Sequence, residues 1–283
     1  MALINHVLGF PCLNEHMAPL QQTALFNTAL AALGVQVTRS DAPCGPVYVQ
    51  RRGFLPSLAS RAPACIADAP MRPRLVNAEA RGAAAALRAC GYTAILTPAH
   101  VAELDLSPPL PDLHAALHGK WRNRLTTARK RLSASHDVAH RAFDPARDGW
   151  LLKAEAAQQR TRRYRGYPPA LTRLMHEVEP KALRLFTLHE RRDPIAAMLF
   201  VRHGSMATYH IGWNSPEGRK LAAHHLLLWE AIRALRARGV QMLDLGTVET
   251  ERSAGLARFK LGSGARARPL GGTWLRWRQS LRT

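Results

Sequence analysis

Apolar and polar positions alternate in two rhythms along this chain, one helical and one of strand period. Residues 19–33 carry Leu20, Ala24, Phe26 or Asn27, and Leu30 or Ala31 at helical spacing and stop at Gly34, so a helix is expected there. Residues 35–38 and 47–51 read as strands around the turn-rich Asp41-Ala42-Pro43-Cys44-Gly45-Pro46. A strand at 74–77, a helix at 79–90 closed by Gly91 and a strand at 92–97 follow. Pro108, Pro109 and Pro111 mark a break, after which Trp121, Leu125, Ala128 and Leu132 form one apolar stripe of a helix. The pattern then predicts a strand (136–143), two helices (145–163 and 168–178) and two strands (183–189 and 195–202).

The stretch from Ser205 to Gly264 is the most informative. It reads as a strand (206–212), a polar turn (213–218), a long helix (219–238), a second strand (240–246) and a short helix ending in Phe259-Lys260-Leu261-Gly262. Alternating strands and helices predict an α/β fold with a mixed sheet. A strand that passes through a polar turn into a helix leaves the first helical N–H groups unpaired, and the helix dipole favours an anion there. Acyl-CoA and aminoacyl-tRNA both tether an acyl carbonyl to phosphates, so acyl transfer is the first expectation.

Composition narrows the class. With 283 residues and 47% hydrophobic content the chain can bury a sizeable core. No apolar run approaches the ~20 residues that span a bilayer, and residues 1–17 lack the basic front of a signal peptide, so a cytoplasmic location is expected. Cys12, Cys44, Cys65 and Cys90 have no Cys-x-x-Cys spacing; they read as reduced thiols, with no disulfide framework and no metal. Forty basic residues against twenty acidic ones give a formal charge of +20, which attracts RNA, CoA phosphates or an anionic membrane without choosing among them. The preponderance of arginine is also what a genome-wide composition bias produces.

Four segments carry a family resemblance: Tyr209-His210-Ile211-Gly212, the run from Leu226 to Ile232, Asp244-Leu245-Gly246, and Gly255-Leu256-Ala257-Arg258-Phe259-Lys260. Their order and spacing resemble the Fem-type branch of the GNAT superfamily of N-acyltransferases. Lys120-Trp121-Arg122-Asn123-Arg124 through Arg129-Lys130 looks like the basic helix that joins the two halves of such proteins. The resemblance covers roughly residues 110 to 275. It implies two pseudo-duplicated GNAT-like halves: an N-terminal half at 1–110, a basic connecting helix at 111–135 and a C-terminal half at 136–283.

The resemblance also implies direct attack of an amine on an acyl carbonyl, with acyl-CoA as donor and aminoacyl-tRNA as the alternative. A third reading is a nucleic-acid-binding protein that has lost the chemistry. Gly218-Arg219-Lys220-Leu221-Ala222 is similar to a degenerate pyrophosphate loop, with Ala222 where a glycine is usual. Lys260 follows Phe259 as in Fem-type enzymes, where such a lysine is implicated in stabilising developing negative charge. For proton transfer the sequence leaves His210, Asp244, Glu249 and Glu251 open, and Asp244 equally suits a structural pair with an arginine. Trp213 lies near the expected oxyanion site, and Lys120, Arg122 and Arg124 stand on a ridge suited to anions. The acceptor is an amine of unknown identity. His114-x-x-x-His118 and His224-His225 lack companion ligands and read as ordinary helix histidines, while Arg160, Arg162, Arg163 and Arg165, interleaved with Tyr164 and Tyr167, read as a basic loop after a helix or as a pattern suited to single-stranded RNA.

Overall fold

A computed structural model describes residues 17–251 and 253–277. The reading of the first residues, Cys12 included, lies outside the described residues apart from Met17.

The chain builds two mixed sheets. In the first half, α1 (Ala24–Ala32) precedes strands β1 (Gln36–Ala42), β2 (Gly45–Arg51), β3 (Leu58–Ala62) and β4 (Leu75–Ala78). Helix α2 (Ala83–Ala89) and strands β5 (Tyr92–Leu96) and β6 (His100–Asp105) follow. Two helices, α3 (Leu110–Ala115) and α4 (Gly119–Arg131), lead to β7 (His136–Ala142), α5 (Pro145–Arg162), α6 (Pro169–Val178), β8 (Leu183–Glu190) and β9 (Asp193–His203). The last part comprises β10 (Met206–Asn214), α7 (Pro216–Lys220), α8 (Ala223–Arg236), β11 (Met242–Val248), α9 (Ala254–Gly262), β12 (Arg266–Pro269) and β13 (Thr273–Arg276).

Strand order shows the duplication. The first sheet runs β1-β2-β3-β4-β13-β5 and the second, read from its β7 edge, β7-β8-β9-β10-β11-β6-β12. Among the described strands each sheet has one parallel pair, β3 with β4 and β10 with β11, and the strand before the pair is antiparallel in both. The next strand is exchanged: β6 from the N-terminal half joins the second sheet, and β13 from the C-terminus joins the first. The first strand of each parallel pair also carries an irregularity in register, between Ala59 and Ala62 of β3 and between Tyr209 and Ile211 of β10.

The second sheet is sandwiched. Leu226, Leu227, Trp229, Ile232 and Leu235 of α8, with Trp121, Leu125 and Ala128 of α4, cover one face. Leu25, Phe26 and Leu30 of α1, with Leu151 and Leu152 of α5 and Leu171 and Met175 of α6, cover the other. Because both faces are covered, Ile195 to Val201 of β9 is an unbroken buried run rather than an alternating one. Helix starts follow local chemistry: Asp144 accepts from the Ala146 N–H at 2.9 Å and Ser215 from the Gly218 N–H at 3.1 Å, with Pro145 and Pro216 in the first turns.

The expectation of unpaired cysteines is corrected. Cys44 in the β1–β2 turn and Cys65 in the short 3-10 turn after β3 form a disulfide with Cα atoms 6.1 Å apart. Their separation of 21 residues carries no local spacing signal, and the folding of β1, β2 and β3 side by side brings them together. Cys90 is free and half-buried, its thiol directed at the Ala67 carbonyl at 3.3 Å.

Candidate active site

The site begins where two parallel strands part. β10 and β11 pair only at Met206↔Met242, Ala207↔Leu243 and Thr208↔Asp244. Beyond that point β10 continues to Asn214 against β9, and β11 continues to Val248 against β6. The register breaks at Tyr209/Ile211 and Asp244/Thr247, with Gly246 at φ +79, turn the two strands away from each other. Their facing backbone groups are thus free of each other over residues 209–214 and 245–248. Freed N–H groups of this kind can hold a carbonyl oxygen as negative charge develops on it.

Lys260 stands at this opening. Its Nζ donates to the Thr247 carbonyl at 2.8 Å, and only 5% of the residue is exposed. Burial lowers its pKa to about 8, because the pull of Asp244 and Glu249 on the ammonium only partly offsets desolvation. The lysine is fixed from the side as well. Trp121 of α4 donates its indole N–H to the Phe259 carbonyl at 3.0 Å, and the Phe259 ring meets those of His225 and His224 at 5.2 and 6.2 Å. Helices α4, α8 and α9 therefore converge beside Lys260.

Both oxygens of Asp244 are engaged. Oδ2 accepts from Arg61 at 2.5 Å and Oδ1 from the Gly246 N–H at 2.7 Å, with the residue 2% exposed. Arg61, at φ +49 in the irregular part of β3, also grips Glu79, and Arg268 of β12 bridges Glu79 and Glu103. Burial opposes charge on Arg61, yet the Glu79 hydrogen bond and the Asp244 and Glu79 carboxylates hold it above its ordinary value. The cluster ties the first sheet to the second, so Asp244 acts as an anchor of the splayed strands. The alternative of an arginine pair is the geometry found. Glu249 and Glu251 are exposed in the loop after β11.

On the other side of β10 lies a carboxylate that the sequence reading did not single out. Glu155 of α5 is 7% exposed. Its Oε1 accepts from Tyr164 Oη at 2.7 Å and Gln159 Nε2 at 3.1 Å, and its Oε2 from Gln158 Nε2 at 3.2 Å. Gln158 also donates to the Gly212 carbonyl at 3.2 Å, which links the carboxylate to the free part of β10. The Tyr209 hydroxyl folds back on Gly212, where a methyl group would overlap it. Burial, with the nearby Glu155 and Tyr164, keeps that hydroxyl protonated. Nothing in the local sequence distinguishes Glu155 from any acid of an amphipathic helix; only the fold brings it to β10. His210 is occupied elsewhere: its Nε2 lies 2.8 Å from Thr172 Oγ1, its ring stacks on Tyr167, and burial lowers its pKa to about 4.

A family model for the acetyltransferase (GNAT) domain matches residues 119–261, just over half of the 283 residues. The chain belongs to the GNAT acetyltransferase family. Among solved structures it is similar to FemX, at a TM-score of 0.71 and 12% identity over 90% of this chain and 91% of that one. It is similar to a conserved protein of unknown function from Bacteroides thetaiotaomicron, at 0.61 and 14% over 92% and 90%. A third likeness is to the C-terminal domain of a protein described as a lysylphosphatidylglycerol synthetase from Agrobacterium fabrum, at 0.59 and 11% over 92% and 89%. At such identities these likenesses establish the fold. No curated protein matches the chain in sequence.

In this GNAT acyltransferase the segment expected to cradle a pyrophosphate is a closed helical turn. Gly218 lies inside α7, buried, where a methyl group would overlap the Ile195 carbonyl oxygen and Asn214 Oδ1. Arg219 and Lys220 are exposed, and Leu221 is half-buried. Ala222 at φ +55 breaks the helix expected to run from 219, so α8 starts at Ala223 with no side-chain cap. Trp213 packs edge-on against Trp150, its carbonyl accepting from His224 Nε2 at 2.8 Å.

The ridge on α4 divides. Lys120 and Arg124 are exposed, whereas Arg122 donates to the Ala115 and Leu117 carbonyls and closes α3. Arg131 reaches the Lys220 carbonyl at 2.9 Å, so the ridge is continuous with the basic end of α7. His114 packs edge-on against Trp229, and His118 caps α4 through its Nδ1. Among the described residues no three His, Cys, Asp or Glu side chains are arranged to hold a metal ion. Among them, too, no helix is long and apolar enough to cross a membrane.

Proposed function

We propose that this acyltransferase moves an aminoacyl group from aminoacyl-tRNA to an amine acceptor in the cleft between β10 and β11. The observation that carries the choice of donor is the run of exposed cations on α4 and α7, joined by the Arg131 bond to the Lys220 carbonyl; the Gly218 N–H, given to Ser215, adds nothing for a CoA pyrophosphate. The exposed charges of Lys120, Arg124, Arg131, Arg219 and Lys220 suit a polyanion larger than CoA and lead to the Lys260 side of the cleft. The name lysylphosphatidylglycerol synthetase, borne by one structural neighbour, itself denotes aminoacyl transfer. A second reading, acyl-CoA as donor, is favoured by the acetyltransferase description of the matched family.

In this reading the acceptor amine attacks the ester carbonyl of the donor, and the carbon–oxygen bond to the ribose breaks as the carbon–nitrogen bond forms. The Lys260 ammonium faces the developing oxyanion and, with a pKa of about 8, can hand a proton to the departing ribose oxygen. Glu155 holds the acceptor as an ammonium and takes its first proton, which frees the attacking lone pair; the second proton, lost as the amide forms, replaces the one that Lys260 gives to the ribose oxygen. Asp244, ion-paired with Arg61 and bonded to the Gly246 N–H, keeps β11 in place.

Direct binding distinguishes the donors. Charged tRNA is expected to protect the protein against thermal unfolding, acetyl-CoA to leave it unchanged, and the triple variant Lys120→Ala/Arg124→Ala/Arg131→Ala to lose the protection. Protection by acetyl-CoA alone would make CoA the donor.

A further inference from the structure

The most exposed apolar side chain described lies far from any packing role. The end of β2 and the loop after it, Arg51-Arg52-Gly53-Phe54-Leu55-Pro56, are exposed throughout, with Phe54 at 104% and Leu55 at 63% of full exposure. The loop is not a loose strand end. Gly53 takes φ +52 and the Leu55 N–H returns to the Arg52 carbonyl at 3.0 Å, a tight turn that lifts Phe54 to its tip. Two adjacent arginines form the base of the tip. At the end of β2, Gln50 donates to Asn27 of α1 at 3.0 Å, and Phe26 of the same helix meets the Tyr167 ring at 5.2 Å, so β2 and the α5–α6 connection both pack on α1. The end of α5 and that connection are exposed too and carry Arg160, Arg162, Arg163 and Arg165, with Arg163 at φ +53 ending α5. Two apolar side chains therefore stand on two arginines, with four more in the second segment on α1 and no acidic residue in either.

We infer that this face docks on an anionic lipid surface, with Phe54 and Leu55 entering the boundary between headgroups and acyl chains while the arginines meet lipid phosphates. An apolar tip on a cationic base is the arrangement that such a boundary selects. Single-stranded RNA would use the arginines and one stacked ring. It has no use for the aliphatic Leu55 beside it, and the tip offers no groove to follow a strand. The surface is separate from the α4 ridge, so it stands whether or not the donor is a tRNA.

Sedimentation of the full chain with vesicles tests the assignment. Binding is expected to vesicles of phosphatidylcholine mixed with phosphatidylglycerol and not to phosphatidylcholine alone. The double variant Phe54→Ser/Leu55→Ser is expected to bind about tenfold more weakly, in line with the loss of inserted apolar groups. Phe54→Trp should shift its emission to shorter wavelength when mixed vesicles are added. Binding that the serine variant leaves intact and salt abolishes would reduce the effect to the general charge of the chain and overturn the inference. Loss of single-stranded RNA binding in the serine variant, with vesicle binding unchanged, would assign the surface to RNA instead.

Discussion

At Lys260 two demands oppose each other: the reaction needs a positive charge, and burial resists it. A shift from 10.5 to about 8 corresponds to roughly 3 kcal/mol of cost for carrying the charge in the folded state. The sign follows from proton counting. Between pH 8 and the unfolded value the unfolded chain binds more protons at this site, so its contribution to stability rises with pH across that window and the full cost is present below it. Lys260→Met should therefore abolish transfer while leaving the melting temperature at neutral pH equal to or above that of the parent. That difference should shrink as pH rises beyond 8. A variant that is inactive and also several degrees less stable would contradict this account. Turnover of the parent should fall as pH rises through about 8, because the ammonium is the active form. Glu155 allows a separate test at the same scale: Glu155→Gln keeps the shape and the Tyr164 contact, and is expected to raise the acceptor KM and lower kcat without changing donor affinity.

Between residues and the whole molecule, the elements decide what the site can accept. Helix α7 owes its closed form to the Ser215 cap, Pro216 and the small space at Gly218. Gly218→Ala is expected to cost roughly 1–3 kcal/mol, since the Ile195 carbonyl it meets is backbone and cannot step aside; urea unfolding measures this. Long, strongly periodic elements were legible in the sequence: α4, α5, α6, β8 and β9 lie within a few residues of expectation. What escaped has physical reasons. β3, β6, β12 and β13 are short, and β12 reads Arg-Ala-Arg-Pro, a polar run made a strand only by pairing with β6. The break at Ala222 is silent because an alanine, not a glycine, takes the left-handed conformation there. The residues just before it, in α7, therefore read as the start of one long helix. Of the candidate residues, Lys260 was found through its neighbour Phe259, whereas Glu155 and Arg61 become visible only once β10 and β3 are in place.

At the scale of the molecule, the exchanged strands and the cluster of Arg61, Arg268, Asp244, Glu79 and Glu103 make the two halves one unit. Removing one partner leaves buried charge uncompensated. Arg61→Leu is expected to lower stability by about 3–5 kcal/mol, and the pair Arg61→Leu/Asp244→Leu by clearly less than the sum of the single changes. An Arg61→Leu protein as stable as the parent would mean that the cluster does not hold the halves together. The central claim is that this cleft passes an aminoacyl group from tRNA to an amine with Lys260 at the reacting carbonyl. The most direct measurement supplies the protein with tRNA carrying a labelled amino acid, or with labelled acetyl-CoA, and a simple primary amine, then follows label into an amide. Label is expected to move from tRNA in the parent and not in Lys260→Met. Label moving from acetyl-CoA alone, or from tRNA at equal rate in both proteins, would contradict the account.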